Sequence, residues 1–376
     1  MKPIKVLHVL SVEKPAFYFT NLVDHSDRGR VEHSFANFAP PSEFSETIAR
    51  RGLRMYDIDR LAKPTLPLSA LRLHRVVQRE DPDVVHTHLF EPSCIGLLIA
   101  TLNKKKRVLT RHHSDAIHRL KNRANRTLYL RMEKANNRQA DHIIAPSKMV
   151  RECIVEWEGT SSEKVSVIPY PQTSERFDEI SPERVERTRT ELGMDRQLSL
   201  VCVSRLFDRK GHIYLFKALA RIVAEGYNLK LYLVGTGHHQ STLERQSQEL
   251  KIAPYVEFLG WRSDVLEIIG GADIVVHPSL EDALSQSLIE SLMLARPIVA
   301  TDISGASDTL DDGKYGSLVP PEDAESLFGA IRSMIDDLQA AQERARPGRS
   351  YLLDYMNAER VTEEYTKIYQ RLVHDQ

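Results

Sequence analysis

From one end of the 376-residue chain to the other, short runs rich in Val and Ile alternate with longer segments of helical period, and the pattern restarts near Leu198. That alternation predicts parallel strands joined by helical crossovers, with each sheet covered on both faces. In the first half the expected strands are Lys5–Leu10, His33–Phe38, Asp83–Thr87, Arg107–Arg111, His142–Ala145 and Val165–Ile168, with a short strand running up to Asp57. In the second half they are Leu198–Val203, Lys230–Val234, Val256–Leu259, Ile274–His277 and Pro297–Ala300. The fold class is α/β, and right-handed crossovers place each ligand crevice at the C-terminal ends of the strands. Pro169-Tyr170-Pro171-Gln172-Thr173-Ser174 and the charged stretch to Arg189 lack a strand pattern. The expected division is therefore 1–170, a linker 171–190, a second domain 191–350 and a terminal helical segment 351–376.

With 41% hydrophobic and 27% charged residues the chain has the composition of a globular protein, which excludes global disorder. Cys94, Cys153 and Cys202 form no C-x-x-C pair, and a reduced, cytosolic protein is expected. The longest apolar stretch, Cys94 to Leu102, is about half of the roughly 20 residues a spanning helix needs. Charge is uneven: Lys104 to Arg138 holds twelve basic residues against Asp115 and Glu133, leaving a formal −11 elsewhere against a net charge of −1. Within it Ile117, Leu120, Ala124 and Leu128 recur at helical spacing, flanked by Arg119, Lys121, Arg123 and Arg126. This suits either a helix packed on the sheet or a peripheral contact with an anionic membrane surface. Nucleic acid is disfavoured, because no aromatic interleaving accompanies the charge.

Three stretches of the second half carry chemistry. Arg205 ends an apolar strand and Lys210 precedes a helix, so the two cations either grip a diphosphate or stand as solvated loop charges. Gly235-Thr236-Gly237 is a turn that permits close backbone approach. Gln240 stands where a dinucleotide fingerprint has its third glycine, so a nicotinamide enzyme is disfavoured. Asp282 lies eight residues before Glu290, and a helix starting near Leu284 would aim the amides of Ser285, Gln286 and Ser287 at a phosphate. Alternatively Asp282 caps that helix and Glu290 is a surface charge.

In this order, Arg205 with Lys210-Gly211, Gly235-x-Gly237, Phe258-Leu259-Gly260-Trp261, Ala272 to Ser279, the acid pair, Ala295 to Thr301 and Asp312-Gly313 with Gly316 resemble the GT-B-fold glycosyltransferases of family 4. The resemblance implies two Rossmann-like domains facing across a cleft, with a C-terminal helix crossing back to the first. It implies a nucleotide-sugar co-substrate, UDP- or GDP-linked, no other cofactor, and transfer with retention to a glycan or lipid-linked acceptor. On the same ground Arg205 and Lys210 hold the diphosphate, Glu290 the ribose and Asp282 the sugar, while Trp261 and Arg262 border the base. Asp83-Val84-Val85-His86-Thr87-His88 looks like the family's strand-end H-x-H, which puts His88 near the anomeric centre; the other account is a neutral structural histidine. Lys14, Arg111, His112 and His113 fall on the acceptor side.

The chain departs from the pattern at Asp282, where the family has Glu; at Ser11 to Ala16, which lacks a glycine pair; at Pro169 to Thr173; and at Ser304 to Asp308. A binding protein without turnover is therefore the alternative function, and a nucleotide-sugar isomerase a third. No metal is expected: Asp57-Ile58-Asp59 reads as a solvated turn, His86 and His88 have no identifiable further ligands, and His112-His113 and His238-His239 are weak metal signals.

Overall fold

A computed structural model describes residues 2–59, 66–113, 115, 117–120 and 122–374. The chain forms two compact units, Met1–Thr173 with Met356–Gln376, and Ser174–Tyr355. Unit 1 holds β1 (Ile4–Leu10), β2 (Val31–Asn37), β3 (Arg54–Asp57), β4 (Val84–His88), β5 (Lys106–Thr110), β6 (His142–Ala145) and β7 (Val165–Val167) in the order β3-β2-β1-β4-β5-β6-β7. Unit 2 holds β8 (Leu198–Val203), β9 (Leu229–Val234), β10 (Val256–Gly260), β11 (Ile274–His277), β12 (Ile298–Thr301) and β13 (Ser317–Val319) in the order β10-β9-β8-β11-β12-β13. Adjacent strands pair parallel in both sheets. Sequence order reverses at β1/β4 and at β8/β11, where crossovers leave a crevice beyond the strand ends.

Alternation along β1 shows how unit 1 is layered. Ile4, Val6 and Leu10 join one cluster with Phe35, Val84, Val108, Tyr365 and Tyr369, while Leu7 and Val9 face Leu73, Val77 and Ile99 on the other side. The first cluster is covered by the helices Phe17–Asp24 and Ala358–His374, which also pack on each other. That last helix sets Val361, Tyr365, Ile368 and Tyr369 inward, a stripe at helical spacing. In unit 2, β8 and β9 are sandwiched likewise, with Leu215, Phe216, Leu219 and Ile222 of the helix His212–Ala224 among the buried residues on one face.

Two sequence boundaries shift. The expected linker 171–190 contains the helices Glu175–Asp178 and Pro182–Glu191, which belong to unit 2. Ser181 accepts from the Arg184 amide, Pro182 opens the helix, and Val185 and Arg189 lie against Gly270 and Gly271 of the helix Val265–Gly271. Those glycines admit a helix that has few apolar residues of its own, which is why it reads as a linker. The terminal segment 351–376 also divides: Gly348–Tyr355 is helical in unit 2, and Ala358–His374 belongs to unit 1.

The apolar line proposed from Ile117 to Leu128 is corrected too. The helix begins at Arg123 with Asn122 as its cap, so Ile117 and Leu120 precede it in a turn. Ile117 is buried, whereas Ala124 and Leu128 are exposed; Lys121 lies outside the described residues.

One glycine ties the loops of unit 2 together. Gly211 has φ +67°, and a β-carbon there would meet the Pro278 carbonyl oxygen at 2.0 Å, so the loops after β8 and β11 pack backbone to backbone. Gly211→Ala is expected to cost about 2 kcal/mol or more of stability, from the combined left-handed strain and clash. Denaturant titration measures this, and an unchanged midpoint would refute the packing.

Candidate functional site

The loops after β8 and β11 meet at the switch point of unit 2. Leu280 donates its amide to the Arg209 carbonyl at 2.8 Å, which fixes their spacing. Across this junction the Lys210 ammonium donates to the Asp282 carboxylate at 2.7 Å, and Arg209 lies 3.3 Å from Glu281. Burial would raise the Asp282 pKa, but Lys210 and His277 outweigh it and hold the group below the ordinary carboxylate range. His277 ends β11 with Nε2 3.7 Å from Asp282, too far for a hydrogen bond. Burial lowers its pKa to about 4, with Asp282 partly opposing, so the imidazole is neutral. Its Nε2 is buried without a hydrogen-bond partner among the described residues.

The helix Gln286–Met293 starts from this loop, and Ser285 precedes it without a side-chain cap. Its first-turn amides are therefore not closed off by the Ser285 side chain. Glu290, one turn in, is buried and accepts from Arg176 Nη1 at 2.9 Å and Gln286 Nε2 at 3.4 Å. Burial raises its pKa, with Arg176 opposing. Arg205 is exposed, its guanidinium carbon 5.9 Å from the Phe207 ring centroid. The glycine turn is packed: β-carbons at Gly235 and Gly237 would meet the carbonyl oxygens of Ser204 and Leu206 at 2.0 and 2.2 Å. These glycines let β9's turn lie on β8's loop. Trp261 is 66% exposed, and Arg262 is bound in a fork to Asp264 at 2.8 and 2.6 Å.

In unit 1 five histidines, His8, His33, His86, His88 and His142, are buried. His8, His33, His86 and His88 are buried on one face of the sheet, and their rings stack with one another and with Phe35. His88 ends β4, but its nitrogens contact His8 at 3.0 Å and His112 at 3.1 Å. His86 contacts Tyr369 and Thr110, both at 2.8 Å. One nitrogen from each of His8, His86 and His88 lies within 4.8 Å of the others, a spacing that could hold a metal. Both nitrogens of every ring already have hydrogen-bond partners, so an ion would have to break bonds in a packed core.

Arg111, expected on the acceptor side, is 1% exposed, with Nη1 bound to Glu158 at 2.5 Å and 3.5 Å from Glu133. A guanidinium taken out of water needs such partners, and Glu158 hydrogen-bonds it inside the core with Glu133 close by. His113 sits 2.9 Å from Glu133, and His112 reaches Tyr170 at 2.8 Å. Lys14 is exposed in the loop after β1. Asp57 accepts from the Ser45 hydroxyl and Asp59 pairs with Arg72.

Two comparisons with known proteins decide the family. Residues 17–171 match the family described as Glycosyltransferase Family 4, and residues 197–337 match the one described as Glycosyl transferases group 1. The chain belongs to the family 4 glycosyltransferases. It is 25% identical over 303 residues to the putative glycosyltransferase EpsD of Bacillus subtilis, covering 79% of each chain. It is 23% identical over 273 residues, 72% of this chain and 70% of the other, to an Escherichia coli UDP-Gal:alpha-D-GlcNAc-diphosphoundecaprenol alpha-1,3-galactosyltransferase. The fold matches Anabaena HepE in complex with UDP-glucose at a TM-score of 0.83 and 20% identity, over 97% of this chain and 99% of that one. Two Rossmann-like parallel-sheet units, the GT-B fold, are thus established for this glycosyltransferase.

Of the residues singled out in the sequence, the fold joins Lys210 to Asp282 and sets Glu290 on the helix that follows. It draws His88 and Arg111 into the interior of unit 1 and leaves His112 half-buried. Three partners in this glycosyltransferase had no sequence signal: Arg176 stood in an apparent linker, Glu158 follows the irregular turn Cys153–Trp157, and His277 read as a strand end.

Burial lowers the pKa of His33 to about 4 and of His112 to about 3, and puts His8, His86 and His88 well below 6.5. The unfolded chain then takes up protons near pH 6.5 that the folded chain does not. Stability is full above that value and falls as pH drops toward 4, by roughly 1.4 kcal/mol per pH unit for each such histidine. Denaturant midpoints at pH 7.5 and 5 should show a marked loss, and a flat profile would contradict the neutral cluster.

Proposed function

We propose that this glycosyltransferase moves a hexose or N-acetylhexosamine from a UDP- or GDP-sugar to a glycan or lipid-linked acceptor, with retention of anomeric configuration. The observation that carries the reading is the junction in unit 2, where Lys210, Asp282, the unpartnered His277 Nε2, an uncapped helix start and Glu290 follow one another around a switch point. A diphosphate suits the helix amides and Lys210, a ribose suits Glu290, and sugar hydroxyls suit Asp282 and His277.

Breaking the glycosidic bond gathers negative charge on the departing nucleoside diphosphate. Amides and cations fixed beforehand stabilise that charge more in the transition state than in the ground state, which is where rate is gained. Arg205 and Lys210 are the cations assigned to it. The acceptor hydroxyl adds to the anomeric carbon on the face the diphosphate leaves, and its proton passes to a phosphate oxygen. His88 is buried with both nitrogens engaged inside unit 1 and is not assigned the role of a base.

A face toward an anionic membrane belongs to the same proposal. Leu98, Leu102, Leu128 and Tyr129 are exposed on the packed helices Phe90–Leu102 and Arg123–Gln139, beside exposed Arg123 and Arg131. No helix among the described residues is long and apolar enough to cross a membrane.

Incubation with a panel of nucleotide sugars and acceptors should release UDP or GDP. Lys210→Ala should lower turnover by on the order of 10²–10³. Glu290→Ala should weaken nucleoside-diphosphate binding about ten-fold or more, read as a smaller thermal shift. Tight binding without release under every condition would favour the binding protein; no shift with any diphosphate would refute the site.

A further inference from the structure

Glu290 is held by a residue of the segment through which the chain enters unit 2. Arg176 Nη1 donates to Glu290 Oε1 at 2.9 Å, and Gln286 Nε2 reaches the same oxygen at 3.4 Å. Among the described residues no hydrogen bond is made to Oε2, which is not fully buried, and 12% of the side chain is exposed. The carboxylate is thus anchored by one oxygen, while the other keeps its lone pairs for a hydroxyl.

Arg176 is fixed by more than this bond. It stands in the four-residue helix Glu175–Asp178, which is too short to be stable alone, so tertiary contacts hold it. Phe177 is buried, and the Arg176 guanidinium carbon lies 4.4 Å from its ring centroid. Asp178 is paired with Arg349 at the start of the helix Gly348–Tyr355. That helix lies against the helix of Glu290, since a β-carbon at Gly348 would meet Leu292 Cδ1 at 2.3 Å. Arg176 to Glu290, Leu292 to Gly348 and Arg349 to Asp178 therefore close a ring of three helices, all within unit 2.

We propose that Arg176 is a positioning residue for nucleotide recognition: it fixes Glu290 by Oε1 and leaves Oε2 to read the adjacent hydroxyls of a ribose, so that a nucleotide lacking them is discriminated against. This rests on the transferase reading, which gives Glu290 the ribose. A carboxylate with one anchored oxygen has lost its torsional freedom before the ligand arrives, so a hydroxyl meets an acceptor already in place. The guanidinium also opposes the burial that pushes the Glu290 pKa up, and so keeps the group an acceptor. A protonated carboxyl would place a hydrogen where a ribose hydroxyl has to donate. Arg176 acts through Glu290 and touches no part of the nucleotide.

Calorimetric titration of the full chain with UDP and GDP, each beside its 2′,3′-dideoxy counterpart, tests this. Wild type should bind the ribonucleotide it prefers about ten-fold tighter than the dideoxy form, the size of a hydrogen bond to a charged group. Arg176→Gln should bring that ratio to within about two-fold by weakening the ribonucleotide, while affinity for the dideoxy form stays within about two-fold of wild type. Arg176→Lys, which keeps the charge, should hold the ratio at about three-fold. The wild-type ratio kept in either variant overturns the proposal, and so does an equal loss of both nucleotides, the mark of a merely structural residue. A wild type that binds a diphosphate without the preference refutes Glu290 as the ribose group, and one that binds neither diphosphate refutes the donor site; each takes the proposal with it. Both are read on wild type alone, and are thereby distinct from a preference that survives in the variants.

Discussion

A polar group removed from water has to find a partner inside the protein, and much of this molecule follows from how that demand is met. Arg111 meets it with Glu158, Glu133 lies beside it, and a line of neutral rings meets it across the sheet. Burial also explains why the histidines are neutral. Charging one would place an unsolvated cation among other rings whose own nitrogens are already committed, so depressed affinity for protons and complete hydrogen bonding are two sides of one arrangement.

The same demand shapes unit 2 before any ligand arrives. Lys210 is held by Asp282, and Glu290 by Arg176 and Gln286. On the proposed reading, a donor would exchange partners with the Lys210–Asp282 pair and would also meet His277 Nε2, which has no partner among the described residues. On the same reading such exchange keeps the affinity modest, while the bond from the Leu280 amide to the Arg209 carbonyl holds the two loops that carry Lys210 and Asp282 at a fixed spacing.

Much of the architecture was legible in the sequence because doubly covered parallel strands are apolar runs, and Leu198–Val203 or Ile274–His277 has little else to be. The edge strand Ser317–Val319 was missed because three residues carry no pattern of their own. Lys210, Asp282 and Glu290 were legible because they lie near the ends of recognisable strands or on the following helix. Arg176 was hidden, since a charged four-residue helix gives no periodic signal and its partner is 114 residues away. The histidine line was out of reach for the same reason. His8 and His88 are 80 residues apart, and only the strand order β2-β1-β4-β5 brings His33, His8, His88 and His112 into sequence. His88 is the instructive case: its place at a strand end suggested a rim, but the side chain alternates to the face covered by the terminal helix.

On the proposed reading, the Lys210–Asp282 pair has a consequence for selectivity. While Asp282 holds the ammonium, the two charges nearly cancel, and a departing diphosphate gains less from Lys210 than its proximity suggests. Sugar hydroxyls that hydrogen-bond to Asp282 draw on the same carboxylate oxygens and loosen its hold on the lysine. Full stabilisation of the leaving group would then depend on a sugar whose hydroxyls reach Asp282, so recognition of the sugar and cleavage of its bond would be coupled through one ion pair. Asp in place of the longer Glu tightens this coupling, because a side chain one methylene shorter has less freedom to serve the sugar and the lysine in separate directions.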